Sequence, residues 1–393
     1  MRTNPFKFGK EVSGRQFYDR KDAFNELHRK LSGGASNVVM YAPRRYGKTS
    51  LVKKVLARFN DEGFPTVYFD FNRVDSLELF CEEYASSLYA LGGRGGRLVD
   101  AMMRYLSHLH PTVGIGADAL VEVKFDYGDK MTSTSVSSVL DFAEKMAAET
   151  LGKPLIVAFD EFQEIARLSS KVPLEGVFRS CIQAHQNVRY LFFGSKSHLL
   201  KRMFGEKTRP FYKSAATIRL QKPPENESVE FVKSMFASCG IGIDDTDAKR
   251  VVYEAENVPY YVQQLSSIVF DLVVEAGRDW VEDEDIDRAV DDVTMENSDY
   301  YVERMAALST SQRLVVSAIA RERTSDFTEP YRRRHLLGSS STVHTALKVA
   351  VEAGVIERSA EGYSLEDPFF ARYLRTSAAK AGLAGNGKEG VRA

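Results

Sequence analysis

The apolar run Val38-Val39-Met40, the loop Tyr41-Ala42-Pro43-Arg44-Arg45-Tyr46-Gly47-Lys48-Thr49-Ser50 and the helix-like stretch Leu51–Phe59 constrain this chain more than any other segment. A buried strand that feeds a helix through a tight loop is a building unit of parallel α/β sheets. The spacing is G-x-x-x-x-G-K-[ST], with Ala42 at the first glycine. In such a loop the backbone N–H groups and a helix N-terminus wrap a polyphosphate, and Lys48 reaches its outer phosphates. Thr49 offers a hydroxyl to Mg²⁺. Pro43, Arg44, Arg45, Tyr46, Gly47, Lys48, Thr49 and Ser50 are therefore the candidate nucleotide-binding residues. Alanine is harmless at Ala42 if the backbone there has an ordinary φ and strained if φ is positive. Its presence predicts slow nucleotide handling.

A nucleotide site needs a second strand ending in an acid. Leu155-Ile156-Val157-Ala158-Phe159-Asp160-Glu161 fits: Asp160 would hold Mg²⁺ and Glu161 would polarise the water that attacks the γ-phosphate. A third strand end, Phe192-Phe193-Gly194-Ser195, puts a hydroxyl where a γ-phosphate sensor belongs; a Gly-Ser turn opening the helix at Lys196–Met203 is the plainer reading. Lys48, Glu161 and Ser195 are the candidate catalytic residues, and Thr49 and Asp160 the candidate metal ligands. No guanine-reading N-K-x-D pattern appears in the expected place, which favours ATP.

Further strands are expected at Pro65–Phe71, Val188–Phe193 and Ala215–Leu220, alternating with helices, so the first part of the chain reads as a parallel α/β sheet. Val113–Tyr127 alternates like a β-hairpin inserted on it. After Lys222-Pro223-Pro224 helical periodicity takes over to about residue 308. Ser309–Arg313 opens a new set of short helices, and Gly354–Leu365 reads as a two-strand hairpin, together suggesting a winged helix-turn-helix. The expected domains are residues 1–221 with a lead-in, 222–308, 309–376, and an Ala/Gly/Lys-rich, disordered tail 377–393.

With 393 residues, 44% hydrophobic and 27% charged, the chain is long enough for two or three ordinary globular domains. The net charge of −1 hides an uneven distribution, because Lys222–Tyr300 holds 20 acidic and 6 basic side chains. That block is unsuited to nucleic acid. Cys81, Cys181 and Cys239 lack metal-site spacing, which suits a reducing cytoplasm. No apolar leader is visible at the start, and no apolar run approaches the roughly 20 residues needed to cross a bilayer.

The segment Ala42–Leu51 with Asp160-Glu161-Phe162-Gln163-Glu164 resembles the archaeal-type ATPases within the STAND/AAA+ group of P-loop NTPases, which show G-P-R-R-x-G-K-T-S and D-E-[FIL]-Q. Asn4-Pro5-Phe6, Phe17-Tyr18-Asp19-Arg20 and Pro210-Phe211-Tyr212 are also similar. The resemblance covers about residues 4–375. It implies a RecA/AAA+-like parallel-sheet core, an all-α lid and a C-terminal winged helix, with ATP and Mg²⁺ as ligands. It also implies that Arg20 borders the nucleotide and that Pro259 marks a lid contact, in Asn257-Val258-Pro259-Tyr260-Tyr261 where the family has Gly-x-Pro-Tyr-Tyr. Arg209 or Lys213 stands where a trans-acting arginine finger would.

Three functions follow as expectations. The first is a slow ATPase that binds ATP, hydrolyses it to ADP and works as a nucleotide-dependent switch. The second is an ATP-dependent DNA-binding protein of the origin-recognition type, gripping DNA through Arg332, Arg333, Arg334 and Lys348 on the winged helix. The third is an ATP-controlled scaffold, a homo-oligomer or client-binding protein, in a mobile-element or defence system.

Overall fold

The computed structural model describes all residues except 1, 10–13, 18–19, 35–36, 92–95, 116–120, 128–130, 169–172, 323–325, 359–361 and 387–393. The described chain forms two compact units. The first comprises Arg20–Ala42 and Gly47–Gln221; the second comprises Met1–Asp19, Pro43–Tyr46 and Lys222–Ala393.

The first unit is built on five strands: β1 (Asn37–Tyr41), β2 (Thr66–Asp70), and, beyond the hairpin β3 (Thr112–Ile115) and β4 (Val121–Lys124), β5 (Leu155–Asp160), β6 (Val188–Gly194) and β7 (Ala215–Arg219). They run parallel in the order β2-β5-β6-β1-β7. β5 is buried along its whole length, as its unbroken apolar composition demands of an interior parallel strand. Phe159 at its end meets Phe69, Phe162, Tyr190 and Phe192, with ring centroids 6.1, 5.9, 5.7 and 6.1 Å away. The helix Lys48–Asp61 packs through Leu51, Val52, Val55, Leu56 and Phe59, a helical-period apolar stripe.

The register decides where chemistry gathers. Asp70 pairs with Asp160, Phe159 with Phe192, and Tyr41 with Gly194. The carboxyl ends of β1, β2, β5 and β6 therefore open on one edge, the usual ligand side of an open α/β sheet. β3 and β4 pair antiparallel on the helix Leu77–Leu91, where Ser86 Oγ accepts from Val123 N at 2.8 Å.

In the second unit five helices, Glu225–Ser238, Asp245–Glu254, Pro259–Glu275, Asp283–Glu296 and Ser298–Ala306, precede a winged helix. The latter has helices Thr310–Glu322, Glu329–Arg334 and Ser340–Glu352, the hairpin β8 (Ile356–Arg358) and β9 (Tyr363–Leu365), and a closing helix, Pro368–Asn386. The architecture is thus a RecA/AAA+-like parallel-sheet core, an all-α region and a winged helix.

Two sequence expectations need correction. Met1–Asp19, assigned with the core, groups with the second unit. Asn4 Nδ2 donates to Ser267 O at 3.0 Å and Asp271 Oδ1 at 2.8 Å, and Phe6 packs 4.9 Å from Phe236, so these residues find their partners among the lid helices. The tail, expected to be disordered from residue 377, continues as helix to Asn386; its alanines are strong helix formers. Residues 387–393 lie outside the described residues.

Asn257, which stands where the resembling family has glycine, has φ 54°. Asparagine tolerates this left-handed conformation better than most residues. Its side chain also accepts from Ser228 Oγ at 2.5 Å and donates to Pro223 O at 2.8 Å. Asn257→Ala is expected to lower unfolding free energy by about 1–3 kcal/mol in denaturant titration, through lost hydrogen bonds and strain. Asn257→Gly is expected to cost less, since it relieves the backbone.

Candidate nucleotide site

The loop between β1 and the helix Lys48–Asp61 turns on two left-handed residues, Arg45 at φ 67° and Gly47 at φ 76°. Ala42 is not among the positive-φ residues. The missing glycine thus imposes no backbone strain, and the local reason to expect slow handling is removed. Gly47 is the N-cap and brings no capping side chain, so no side-chain oxygen from that position accepts from the first-turn N–H groups. Lys48 is buried, and its Nζ donates to the carbonyl of Ala42 at 3.1 Å. Ser197 Oγ donates to the same carbonyl at 2.8 Å, tying the segment after β6 to the end of β1.

Thr49 Oγ1 donates to Asp160 Oδ2 at 3.1 Å, and the Tyr68 hydroxyl donates to the same oxygen at 2.6 Å. The structure thus brings together the two candidate metal ligands. Asp160 is 5% exposed. Burial, opposed by the Tyr68 hydrogen bond and aided by the neighbouring Glu161 charge, pushes its carboxyl up to about 6. A hydroxyl and a dry carboxylate this close are a donor set suited to Mg²⁺, which takes few protein oxygens and leaves its other positions to phosphate and water. A cation there would favour the ionised carboxylate that burial disfavours.

Glu161 follows with φ 49° and ψ 39°, a left-handed conformation uncommon for a residue with a side chain. Its carboxylate takes the Ser195 N–H at 3.0 Å on each oxygen and the Ser195 hydroxyl at 2.9 Å on Oε2. Ser195, expected to address a γ-phosphate, thus donates its hydroxyl to Glu161.

The other expected residues are placed as follows. Arg20 is buried and donates to Gln221 O. Arg209 pairs with Glu175 in its own unit. Lys213 adopts φ 53° and donates its N–H to Phe204 O at 3.0 Å. In the second unit Pro259 opens the helix Pro259–Glu275. There the Arg45 guanidinium lies 5.0 Å over the Tyr260 ring and 4.8 Å over the Tyr261 ring, and 3.3 Å from Asp367 Oδ2. The Tyr46 hydroxyl faces Glu357 Oε2 at 3.4 Å. Tyr18 and Asp19 lie outside the described residues. Tyr68, Ser197 and Gln163 were missed by sequence reasoning. Only Gln163 carried a signal, as the fourth letter of the D-E-F-Q run.

Residues 17–265 match the model of a family described as "ATPase domain predominantly from Archaea". Residues 299–376 match one described as "Probable winged helix domain". The fold is similar to the Walker-type ATPase PABY2304 of Pyrococcus abyssi, with a TM-score of 0.65, 18% identity, and coverage of 94% of this chain and 99% of that one. It is also similar to the ORC2 protein of Aeropyrum pernix in its ADPNP–ADP complexes, with a TM-score of 0.57, 14% identity, and coverage of 96% and 99%. No curated protein matches the chain significantly.

Asp160 yields a pH prediction. Its folded value of about 6 lies above the ordinary 3.8, so between these values the folded state binds the proton more tightly than the unfolded state. Stability from this group is present below pH 4 and lost as pH rises through 6, an effect of about 2–3 kcal/mol at most. Asp160→Asn should raise the thermal midpoint at pH 7 and flatten the decline between pH 4 and 6, measured by calorimetry without nucleotide.

Proposed function

The chain belongs to the family of ATPase domains predominantly from Archaea, and from that premise we propose that it is a Mg²⁺-dependent ATPase working as a nucleotide-controlled switch. The observation that carries the reading is the meeting of Lys48, Thr49, Asp160, Glu161 and Ser195 at one edge of a parallel sheet. Phosphates bind at the N-terminus of the helix Lys48–Asp61, where backbone N–H groups and the helix dipole favour negative charge. Lys48 exchanges the Ala42 carbonyl for phosphate oxygen, a stronger, charge-assisted partner. Thr49 and Asp160 would hold Mg²⁺, which would supply charge neutralisation to the phosphates. Glu161 accepts a hydrogen bond from the attacking water and takes up its developing positive charge. Ser195 holds the Glu161 carboxylate and moves with it.

The switch reading is supported by the second unit. Pro43–Tyr46, four residues of the phosphate-loop motif, group with the helical region and winged helix. Arg44, Arg45 and Tyr46 stand next to the phosphate-binding helix in sequence, while Arg45 and Tyr46 touch Tyr260, Tyr261, Asp367 and Glu357. A change at the phosphates would therefore be felt at the winged helix. We assign Pro259 and Arg20 as nucleotide-bordering residues on the family resemblance alone.

The winged helix supports a second reading, contact with DNA. Arg333 and Arg334 are exposed and pair with Glu329 and Glu322, contacts worth little at a surface and readily traded for phosphate. Lys348 is exposed on the helix Ser340–Glu352. Changing Arg332, Arg333 and Arg334 to Gln is expected to weaken DNA binding and flatten its salt dependence in a fluorescence titration; unchanged affinity eliminates this reading.

For hydrolysis the test is Glu161→Gln. It should leave ATP affinity within about two-fold and lower kcat by ~10²–10⁴-fold, the usual contribution of a positioned base. A wild-type kcat in that variant removes Glu161 from the mechanism.

A further inference from the structure

The mechanism above makes no use of Gln163. The residue is 3% exposed and sits in the 3-10 turn Phe162–Glu164 directly after Glu161. Its Nε2 donates to Glu161 Oε2 at 2.5 Å and lies 3.4 Å from Glu164 Oε1. Both partners are carboxylates that only accept, so the amide must present its NH₂ to them. Its Oε1 is consequently buried without a hydrogen-bond partner among the described residues. The amide is thus turned with its donor side toward the two carboxylates. Glu164 is held in place by Lys196 Nζ at 2.7 Å and Arg167 at 3.2 Å.

Gly194 gives an independent sign of the same arrangement. A Cβ there would stand 2.2 Å from Gln163 Oε1 and 3.1 Å from Glu161 Cα. Gly194 is absent from the positive-φ residues, so its backbone does not require glycine. A side chain there would press on both the Gln163 amide and the Glu161 backbone.

The hydrogen bonds on Glu161 are uneven. Among the described residues, Oε2 takes the Ser195 hydroxyl, the Gln163 amide and a share of the Ser195 N–H, whereas Oε1 takes only its share of that N–H. Oε2 is saturated and Oε1 keeps accepting capacity. We propose that Gln163 is a positioning residue for hydrolysis: with Ser195 it anchors Glu161 by Oε2 and leaves Oε1 to accept from the attacking water, in a space that Gly194 keeps open. This rests on the reading of Glu161 as the residue that polarises water. The anchoring also answers the left-handed backbone of Glu161, which persists only where surrounding contacts over-determine it.

The test measures kcat, KM, ATP affinity and thermal midpoint for Gln163→Ala, Gly194→Ala, Glu161→Gln and the double variant Glu161→Gln with Gln163→Ala. Gln163→Ala is expected to lower kcat about 10–100-fold with KM and ATP affinity nearly unchanged, as for a misplaced catalytic group. Gly194→Ala should do the same by displacing the amide. In the Glu161→Gln background, single-turnover hydrolysis should fall no further when Gln163 is also changed, because Gln163 acts through Glu161. A wild-type kcat for Gln163→Ala beside an inactive Glu161→Gln overturns the positioning role and leaves the base standing. A wild-type kcat for Glu161→Gln overturns both. An increased kcat for Gln163→Ala, or an equal loss in both backgrounds, overturns the proposal in favour of restraint or general structural damage. Should Gly194→Ala fail to fold, Gln163→Ala and the double variant decide the matter alone.

Discussion

A carboxylate kept nearly dry at the end of β5 sets the terms for its surroundings. Asp160 receives hydrogen bonds from Thr49, Tyr68 and the backbone of Glu161, yet burial outweighs them and favours the neutral acid. Each donor comes from a different place: the first turn of the helix Lys48–Asp61, the neighbouring strand β2, and the turn that follows β5. One side chain thus fixes three elements relative to each other, at the cost of a charge that prefers company.

The parts of this arrangement carried by contiguous residues were legible in the sequence. The run from Val38 to Ser50 reads as strand, loop and helix because each element has its own local signal, and the apolar run ending in Asp160-Glu161 announces an interior strand with acids at its rim. What sequence could not place is what depends on pairing between distant strands. Ser195 falls beside Glu161 because β6 lies next to β5, with Phe192 opposite Phe159, and its hydroxyl donates to that carboxylate. Tyr68 and Ser197 belong to no motif, and their roles exist only through the fold. The lead-in was misassigned for a related reason: Asn4 and Phe6 carry no sign of the helices they pack on, whose residues come more than two hundred positions later.

Positive φ angles mark where backbone shape is in demand. The loop spends its left-handed conformations at Arg45 and Gly47 rather than at Ala42, so the apparent defect in the motif falls at a position that does not need glycine. Asn257 is the converse case, a position that does need the left-handed shape and fills it with asparagine, which adds two side-chain hydrogen bonds that glycine lacks. Departures from a family pattern therefore differ in kind, and the backbone angle tells them apart.

The grouping of Pro43–Tyr46 with the second unit also bears on how the protein is made. Synthesis runs from the N-terminus, and domains tend to fold as they emerge. The strands and helices of the first unit are complete once Gln221 has been added. Arg45, however, must wait for Tyr260 and Tyr261, and then for Asp367, which follows it by 322 residues. On the ribosome the sheet would form around a loop whose four central residues still lack their final partners. The loop would reach its finished form only late in translation, so a nascent chain would acquire its sheet well before Pro43–Tyr46 settle.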